Sequence, residues 1–471
     1  MNRHTKIVAT LGPASEDKTK ILELSEAGMD IARLNFSHGS YESFKKIVQN
    51  IRLVERENGK TICTLQDLQG PKIRLGELPK EGIAVHKGEI LTFCINKKTT
   101  KSDEKMCIPL PYSKLKSAVK PENRLLIEDG LIRTKILSIN GNRIKALVTA
   151  GGILKSHKGV NVPDSILPAS EALTEKDKAD LHFGIKILKV DAVAISFVES
   201  KEDVLRIKKQ ISKWTKRRVS VISKIERPKA LTNLEEIIKA SDGIMIARGD
   251  LGIEIPAERV PIEQKRIIRM CKNNGKPVIV ATQILQSMVE NPLPTRAEIS
   301  DASTAIFEQT DAYMLSNETA VGAYPVKAVR TLAKVAEEVE ANLMEYEQTE
   351  EMPTGTMEGT LADYSISMQA PILAKQMNAN AIVVVTKHGF TANAILRFRP
   401  KTPVIVVTNS EETARLLKFS WGINKIVITK RKLRSEEVKD LLKEKGLIKE
   451  GQNIVFVSLQ SQKRSLVAMQ V

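Results

Sequence analysis

Three charged residues stand where short apolar runs stop: Lys224 and Glu226 follow SVIS, and Asp250 follows GIMIARG. A single acid in that place is commonly a turn former or a helix cap. Two acids and a lysine at the ends of successive runs point elsewhere. Hard carboxylate oxygens suit Mg²⁺, which takes one or two protein carboxylates and fills its other positions with water and substrate phosphate. Other run ends carry Arg33, Asn35 and Ser37, Asp67, Arg248 and Thr282. Lys224 and Arg33 supply cations for a phosphoryl oxygen. The chemistry open to this set is magnesium-dependent phosphoryl transfer or enolate formation.

These groups need a scaffold that gathers the run ends. Eight apolar runs recur, each with a polar tip and a helical segment after it, at 7–10, 31–35, 62–66, 192–196, 220–224, 243–247, 278–282 and 312–316. Continuous β-branched runs alternating with helices indicate a parallel sheet, and eight such units indicate a closed (β/α)₈ TIM barrel with its chemistry at the C-terminal strand ends. Thr295 and Glu298 form a capping box behind Pro292 and Pro294. Between the third and fourth runs, alternating strands at 87–95, 124–130 and 131–149, with an Asn140-Gly141 hairpin turn, predict an inserted small β-barrel domain. An acidic linker at 347–360 precedes four further runs that alternate with helices. The organisation is therefore read as barrel (1–69), inserted lid (70–166), barrel (167–346) and a C-terminal, regulatory-type α/β domain (347–471).

Composition excludes several classes. A chain of 471 residues, 42% hydrophobic and 27% charged, fits a globular protein of more than one domain. No apolar run reaches the roughly 18 residues that span a bilayer, and the N-terminus has no signal-peptide pattern, so a cytoplasmic location without membrane attachment is expected. Four cysteines without CxxC spacing and six scattered histidines suggest neither a zinc site nor a disulfide framework. The net charge of +17 raises nucleic-acid binding. Yet the 18 basic against 9 acidic residues of 71–165 come singly or in pairs, with one aromatic pair, Phe93 and Tyr112, and no RNA-binding signature. No nucleic-acid partner is expected; attraction of a phosphorylated small substrate suits that field better. From the residues alone, an aldolase using Lys224 and a catalytically silent relative stay open.

The blocks TKIVATLGPAS (5–15), ARLNFSHG (32–39), DLQGPKIR (67–74), SKIERP (223–228), ARGDLGIEIP (247–256), KPVIVATQ (276–283) and NPLPTRAE (291–298) stand in one order along the chain. In content and order they resemble the signature blocks of the pyruvate kinase family. The resemblance implies Mg²⁺-dependent, or Mn²⁺-dependent, phosphoryl transfer from phosphoenolpyruvate to ADP, giving pyruvate and ATP, the last step of glycolysis. It matches Lys224 to the lysine that contacts the transferring phosphoryl and Arg33 to the substrate-phosphate arginine. Glu226 and Asp250 match the metal ligands. Gly249 and Asp250 with Thr282 match the carboxylate and proton-delivery side, and Asn35, His38, Arg74 and Lys158 the nucleotide-phosphate contacts. Most relatives are homotetramers, so that state is expected.

The chain also departs from the family pattern. Many members hold K⁺ at positions matching Asn35, Ser37, Asp67 and Leu68, and read DTKGPEIR; DLQGPKIR resembles the subset that works without K⁺. There the Lys72 ammonium supplies the missing charge, and K⁺ is expected not to be required. Asn317 stands where the family usually has glycine, and asparagine is the least costly substitute if φ is positive there. The stretch VVTKHGFTAN (384–393) resembles the effector loop, so a sugar phosphate or AMP is expected between Thr386 and Thr391. His388 and Phe390 replace its usual Ser and Arg.

Overall fold

The computed structural model describes residues 3–97, 107–165, 173–342, 360–430, 435–460 and 463–471. Eight strands close a parallel barrel: β1 (Lys6–Leu11), β2 (Ile31–Asn35), β3 (Cys63–Asp67), β4 (Ala192–Ile195), β5 (Ser220–Ile225), β6 (Gly243–Ala247), β7 (Val278–Ala281) and β8 (Ala312–Leu315). Each pairs with its neighbour in sequence, and β8 closes on β1 through Lys6↔Ala312 to Ala9↔Leu315. Side chains alternate along each strand. Ile7 and Ala9 pack outward under the helices, while Val8, Ile31, Leu65, Ile222, Met245 and Met314 fill the interior. Phe419, from the C-terminal domain, completes that inner cluster and is 1% exposed.

Phe419 sits at the end of the barrel opposite the strand tips of interest. Around it, Lys6 donates to the Ile423 carbonyl at 2.9 Å, Trp421 N to Asp311 at 3.1 Å, and Arg399 pairs with Asp311 at 2.8 Å. The C-terminal domain therefore plugs the N-terminal rim and leaves the other mouth free for chemistry. Its sheet runs Ile423–Ile428, Val404–Thr408, Ala381–Val385, Asn453–Gln460, Lys463–Gln470. The last strand is antiparallel to its neighbour.

Between β3 and β4 a seven-stranded sheet encloses a separate apolar core, with the hairpin Ile132–Asn140 and Arg143–Ala150 at its centre. Cys94 and Cys107 form a disulfide there, Cα–Cα 5.7 Å, a bridge that the cysteine spacing did not suggest. They lie 13 residues apart, and the pairing of Ile90–Ile95 with Ile108–Leu110 sets Cys94 opposite Pro109. Sheet register, not local spacing, brings them within reach.

The Thr295–Glu298 capping box is present. Asn317 opens the short helix Asn317–Ala320 and is not a positive-φ residue, so no left-handed backbone constrains that position. The lid boundary at 166/167 and the barrel end at 346/347 lie outside the described residues, as does the linker up to 359. Among the described residues, no helix is long and apolar enough to cross a membrane.

Candidate active site at the barrel mouth

Arg33, near the end of β2, is held from two sides: Nε donates to Asp67 Oδ2 at 2.7 Å and Nη1 to Thr10 Oγ1 at 2.8 Å. Lys224 on β5 lies 2.9 Å from Glu226 Oε1 and 3.4 Å from Asp67 Oδ1, and it donates to Ser196 Oγ at 2.9 Å. Burial alone would push the ammonium pKa down, but Asp67, Glu226 and Asp250 together outweigh it and hold Lys224 charged. Burial likewise raises a carboxyl, yet Lys224 and Arg33 keep Asp67 below the usual carboxylate range. Glu226 goes the other way. Its burial, with Asp250 nearby, outweighs Lys224 and raises it. Its Oε2 takes the Phe197 N–H at 2.7 Å, where Phe197 turns left-handed with φ 57°.

The other flank is built from the helix Arg248–Glu254, which starts at the tip of β6. Gly249 N donates to Thr282 Oγ1 at 2.8 Å, and that hydroxyl donates to the Ala281 carbonyl at 2.6 Å. Thr282 has φ 69° and Gln283 φ 54°. A β-branched residue in that region is strained, and such strain persists only where the surroundings hold it. Arg248 does the holding: it donates to the Thr282 carbonyl at 2.9 Å and to that of Gln283 at 3.1 Å, and pairs with Asp301 at 2.8 Å.

A cleft of about 370 Å³ opens on Arg33, Asn35, His38, Asp67, Lys224, Asp250 and Thr282. Glu226, 1% exposed, stands behind Lys224 and is not part of that lining. Not every expected residue reaches the cleft. Arg74 donates to the His157 carbonyl at 2.9 Å and Lys158 pairs with Glu128 at 2.5 Å, both within the lid. Asn35 Oδ1 accepts the Ser37 N–H at 3.2 Å, and the Leu68 carbonyl takes the Ser196 hydroxyl at 2.8 Å. Lys72 lies 3.5 Å from Asp250 and 3.8 Å from Asp129. Among the described residues, the cations paired with Asp67 are Arg33 and Lys224, so the Lys72 charge falls on the Asp250 side. Sequence reasoning missed Ser196, Thr10 and the Phe197 amide; they are ordinary polar groups that only the barrel's curvature brings to the charged set.

The donor set suits a divalent ion. The Asp250 charge is felt at Glu226, and a cation held by the two would relieve that repulsion. Among the described residues no three His, Cys, Asp or Glu are placed to hold an ion by themselves, so water and substrate oxygens would complete the shell of such an ion.

Residues 2–329 match the pyruvate kinase barrel domain, and residues 364–465 the pyruvate kinase alpha/beta domain. The chain is 40% identical over 457 residues to a pyruvate kinase of Clostridium acetobutylicum, covering 96% of this chain and 95% of that protein. To a pyruvate kinase of Geobacillus stearothermophilus it is 41% identical over 425 residues, covering 90% and 71%. The crystal structure of a pyruvate kinase from Cryptosporidium parvum superposes with a TM-score of 0.91 at 31% identity, over 100% of this chain and 96% of that one. Two matched domains and relatives near 40% identity along most of their length establish that the chain belongs to the pyruvate kinase family.

Proposed function

We propose that the barrel mouth transfers the phosphoryl group of phosphoenolpyruvate to ADP, giving pyruvate and ATP. The observation that carries this reading is Lys224, a mostly enclosed ammonium fixed between Asp67 and Glu226 and opening on the same cleft as Arg33. Phosphoryl transfer asks the protein chiefly for positioning and for charge placed where the transferring oxygens will be. Lys224 and Arg33 supply that charge. Glu226 and Asp250 would hold Mg²⁺ or Mn²⁺, which would supply positive charge to the phosphoryl oxygens and the enolate oxygen. The Gly249 amide and the Thr282 hydroxyl face the substrate carboxylate, and the hydroxyl leaves Ala281 to pass a proton toward the enolate carbon. Asn35 and His38 meet the nucleotide from the barrel, while Arg74 and Lys158 bring lid charges to its phosphates when the lid closes and excludes water. ATP and pyruvate should form in equal amounts and cease with a chelator; formation of pyruvate without ATP would overturn this reading. A cytoplasmic homotetramer working in glycolysis is the setting proposed for it.

K⁺ is not required in this reading. Lys72 adds a fixed charge beside Asp250, on the metal side of the mouth, and Arg33 and Lys224 already neutralise Asp67. The rate in Na⁺ buffer should not change on adding K⁺. An increase of about tenfold, worth roughly 1.4 kcal/mol of transition-state stabilisation, would contradict it.

A sugar phosphate or AMP is the proposed effector at Thr386 to Thr391. Gly389, with φ 80°, donates to Thr386 Oγ1 at 3.0 Å, and the Lys387 carbonyl accepts from Thr413 Oγ1 at 2.7 Å. This loop borders a cavity of about 710 Å³ whose lining includes Lys208, Arg218, Lys276 and His388. AMP or a sugar monophosphate should lower half-saturating phosphoenolpyruvate, and Arg218→Ala should remove the response. Unchanged saturation curves with both compounds would dismiss the effector.

A further inference from the structure

The inserted lid touches one short barrel helix at both of its ends. Arg248–Glu254 begins with Arg248, Gly249 and Asp250 at the mouth. Lys72, at the root of the lid, reaches Asp250 at 3.5 Å. At the other end Asn161 Nδ2, on the lid strand Gly159–Asn161, donates to Glu254 Oε1 at 2.8 Å. Both residues are buried, Asn161 at 7% and Glu254 at 9% exposure. A seven-residue helix is about 10 Å long and moves as one piece. Displacing the lid strand therefore pulls on the element that presents Gly249 and Asp250.

The neighbouring charges are engaged elsewhere. Arg227 pairs with Glu199 at 2.7 Å and lies over the Phe197 ring at 4.7 Å; Lys229 pairs with Glu199 at 3.1 Å. Arg124 pairs with Asp164 at 2.7 Å, and Lys72 with Asp250 and Asp129. That leaves Glu254 facing Asn161 across a crevice that Lys72, Asp164, Glu199, Arg227 and Lys229 also line. Asn161 Oδ1 is buried and takes no hydrogen bond among the described residues. Burial raises the Glu254 carboxyl; the Asn161 bond and Arg227 oppose this, Asp250 adds to it, and Arg124 opposes it, with a net rise. A protonated Glu254 can donate from its second oxygen to Asn161 Oδ1, closing an acid–amide ring that satisfies both side chains. A glutamine at 254 can close the same ring with its amide.

We infer that Asn161 and Glu254 are a positioning pair, through which the lid strand that follows Lys158 sets the seat of Asp250. Closing the lid over the nucleotide and placing Asp250 are then one movement. The inference rests on the proposed reading of the mouth, in which Asp250 holds the metal and Lys158 the nucleotide. It adds that two residues outside the cleft govern when those groups meet.

The test compares Glu254→Ala, Asn161→Ala, the double variant and Glu254→Gln with the unaltered chain. Two quantities are read: kcat/KM for ADP, and hydrogen exchange without substrates across Arg248–Glu254 and Gly159–Asn161. Each alanine variant should lose about tenfold in kcat/KM, the scale of one buried hydrogen bond, and the double variant should lose no more than either single one. Glu254→Gln should stay near the unaltered rate. Asn161→Ala, although it alters the lid alone, should speed exchange at Gly249 and Asp250. Losses that multiply in the double variant, exchange at Gly249 and Asp250 untouched by Asn161→Ala, or a lowered melting temperature with kinetics unchanged would each overturn the inference. An unaltered chain that makes no ATP would refute the reading of the mouth, while the exchange data would still decide the coupling.

Discussion

Lys224→Met lowers kcat by about a thousandfold or more while phosphoenolpyruvate still binds, because preorganised charge at a transferring phosphoryl is worth roughly 10³ or above. The side chain is close in length but presents no donor to the phosphoryl oxygens. Removing the ammonium also strands Asp67 Oδ1 and Glu226 Oε1, which it now faces at 3.4 and 2.9 Å. Breaking a buried ion pair from one side costs about 3–5 kcal/mol, so the melting temperature should fall as well. Glu226 softens that loss, since burial already raises its carboxyl and a proton can replace the missing cation. A melting curve on the assayed sample separates the two effects. A folded Lys224→Met chain that kept a tenth of the activity would remove Lys224 from the phosphoryl-transfer step.

Asp250→Asn weakens the metal site. The substitution keeps the shape of the first turn of Arg248–Glu254 and removes one of two carboxylates, leaving Glu226 as the remaining charged ligand. Half-saturating Mg²⁺ should rise by about tenfold or more, and kcat should fall by about a hundredfold, in keeping with the cost of losing one metal-anchored contact in a phosphoryl-transfer site. Lys72 would lose its 3.5 Å partner, so the remaining field at the mouth becomes more positive and does not offset the loss. An Mg²⁺ titration superimposable on that of the unaltered chain would assign the metal elsewhere.

Much of this was legible in the sequence. The eight barrel strands are buried along nearly their whole length, so their apolar runs carry no confusing alternation, and their polar tips mark the mouth. Lys224, Asp250 and Thr282 follow from that rule without any alignment. What escaped depends on register between segments far apart in the chain. Cys94 and Cys107 meet through strand pairing. Lys72 sits two residues before Arg74 in DLQGPKIR, but that spacing does not say whether its ammonium meets Asp67 or Asp250; in the fold it follows the turn at Gly70, φ 72°, and lies 3.5 Å from Asp250. The strand Lys463–Gln470 leaves little trace in the sequence, since an antiparallel edge strand with mixed polar residues gives a weak signal. Nothing in the sequence sets Phe419 apart from other core aromatics; its place in the barrel's inner cluster is a property of the packed domains.

The decisive measurement is ATP formation from phosphoenolpyruvate and ADP with Mg²⁺, in Na⁺ buffer and then with K⁺, beside Lys224→Met. Turnover should proceed in both buffers at the same rate and collapse in the folded variant. Turnover in neither buffer from an intact barrel, or equal turnover by the variant, would contradict it.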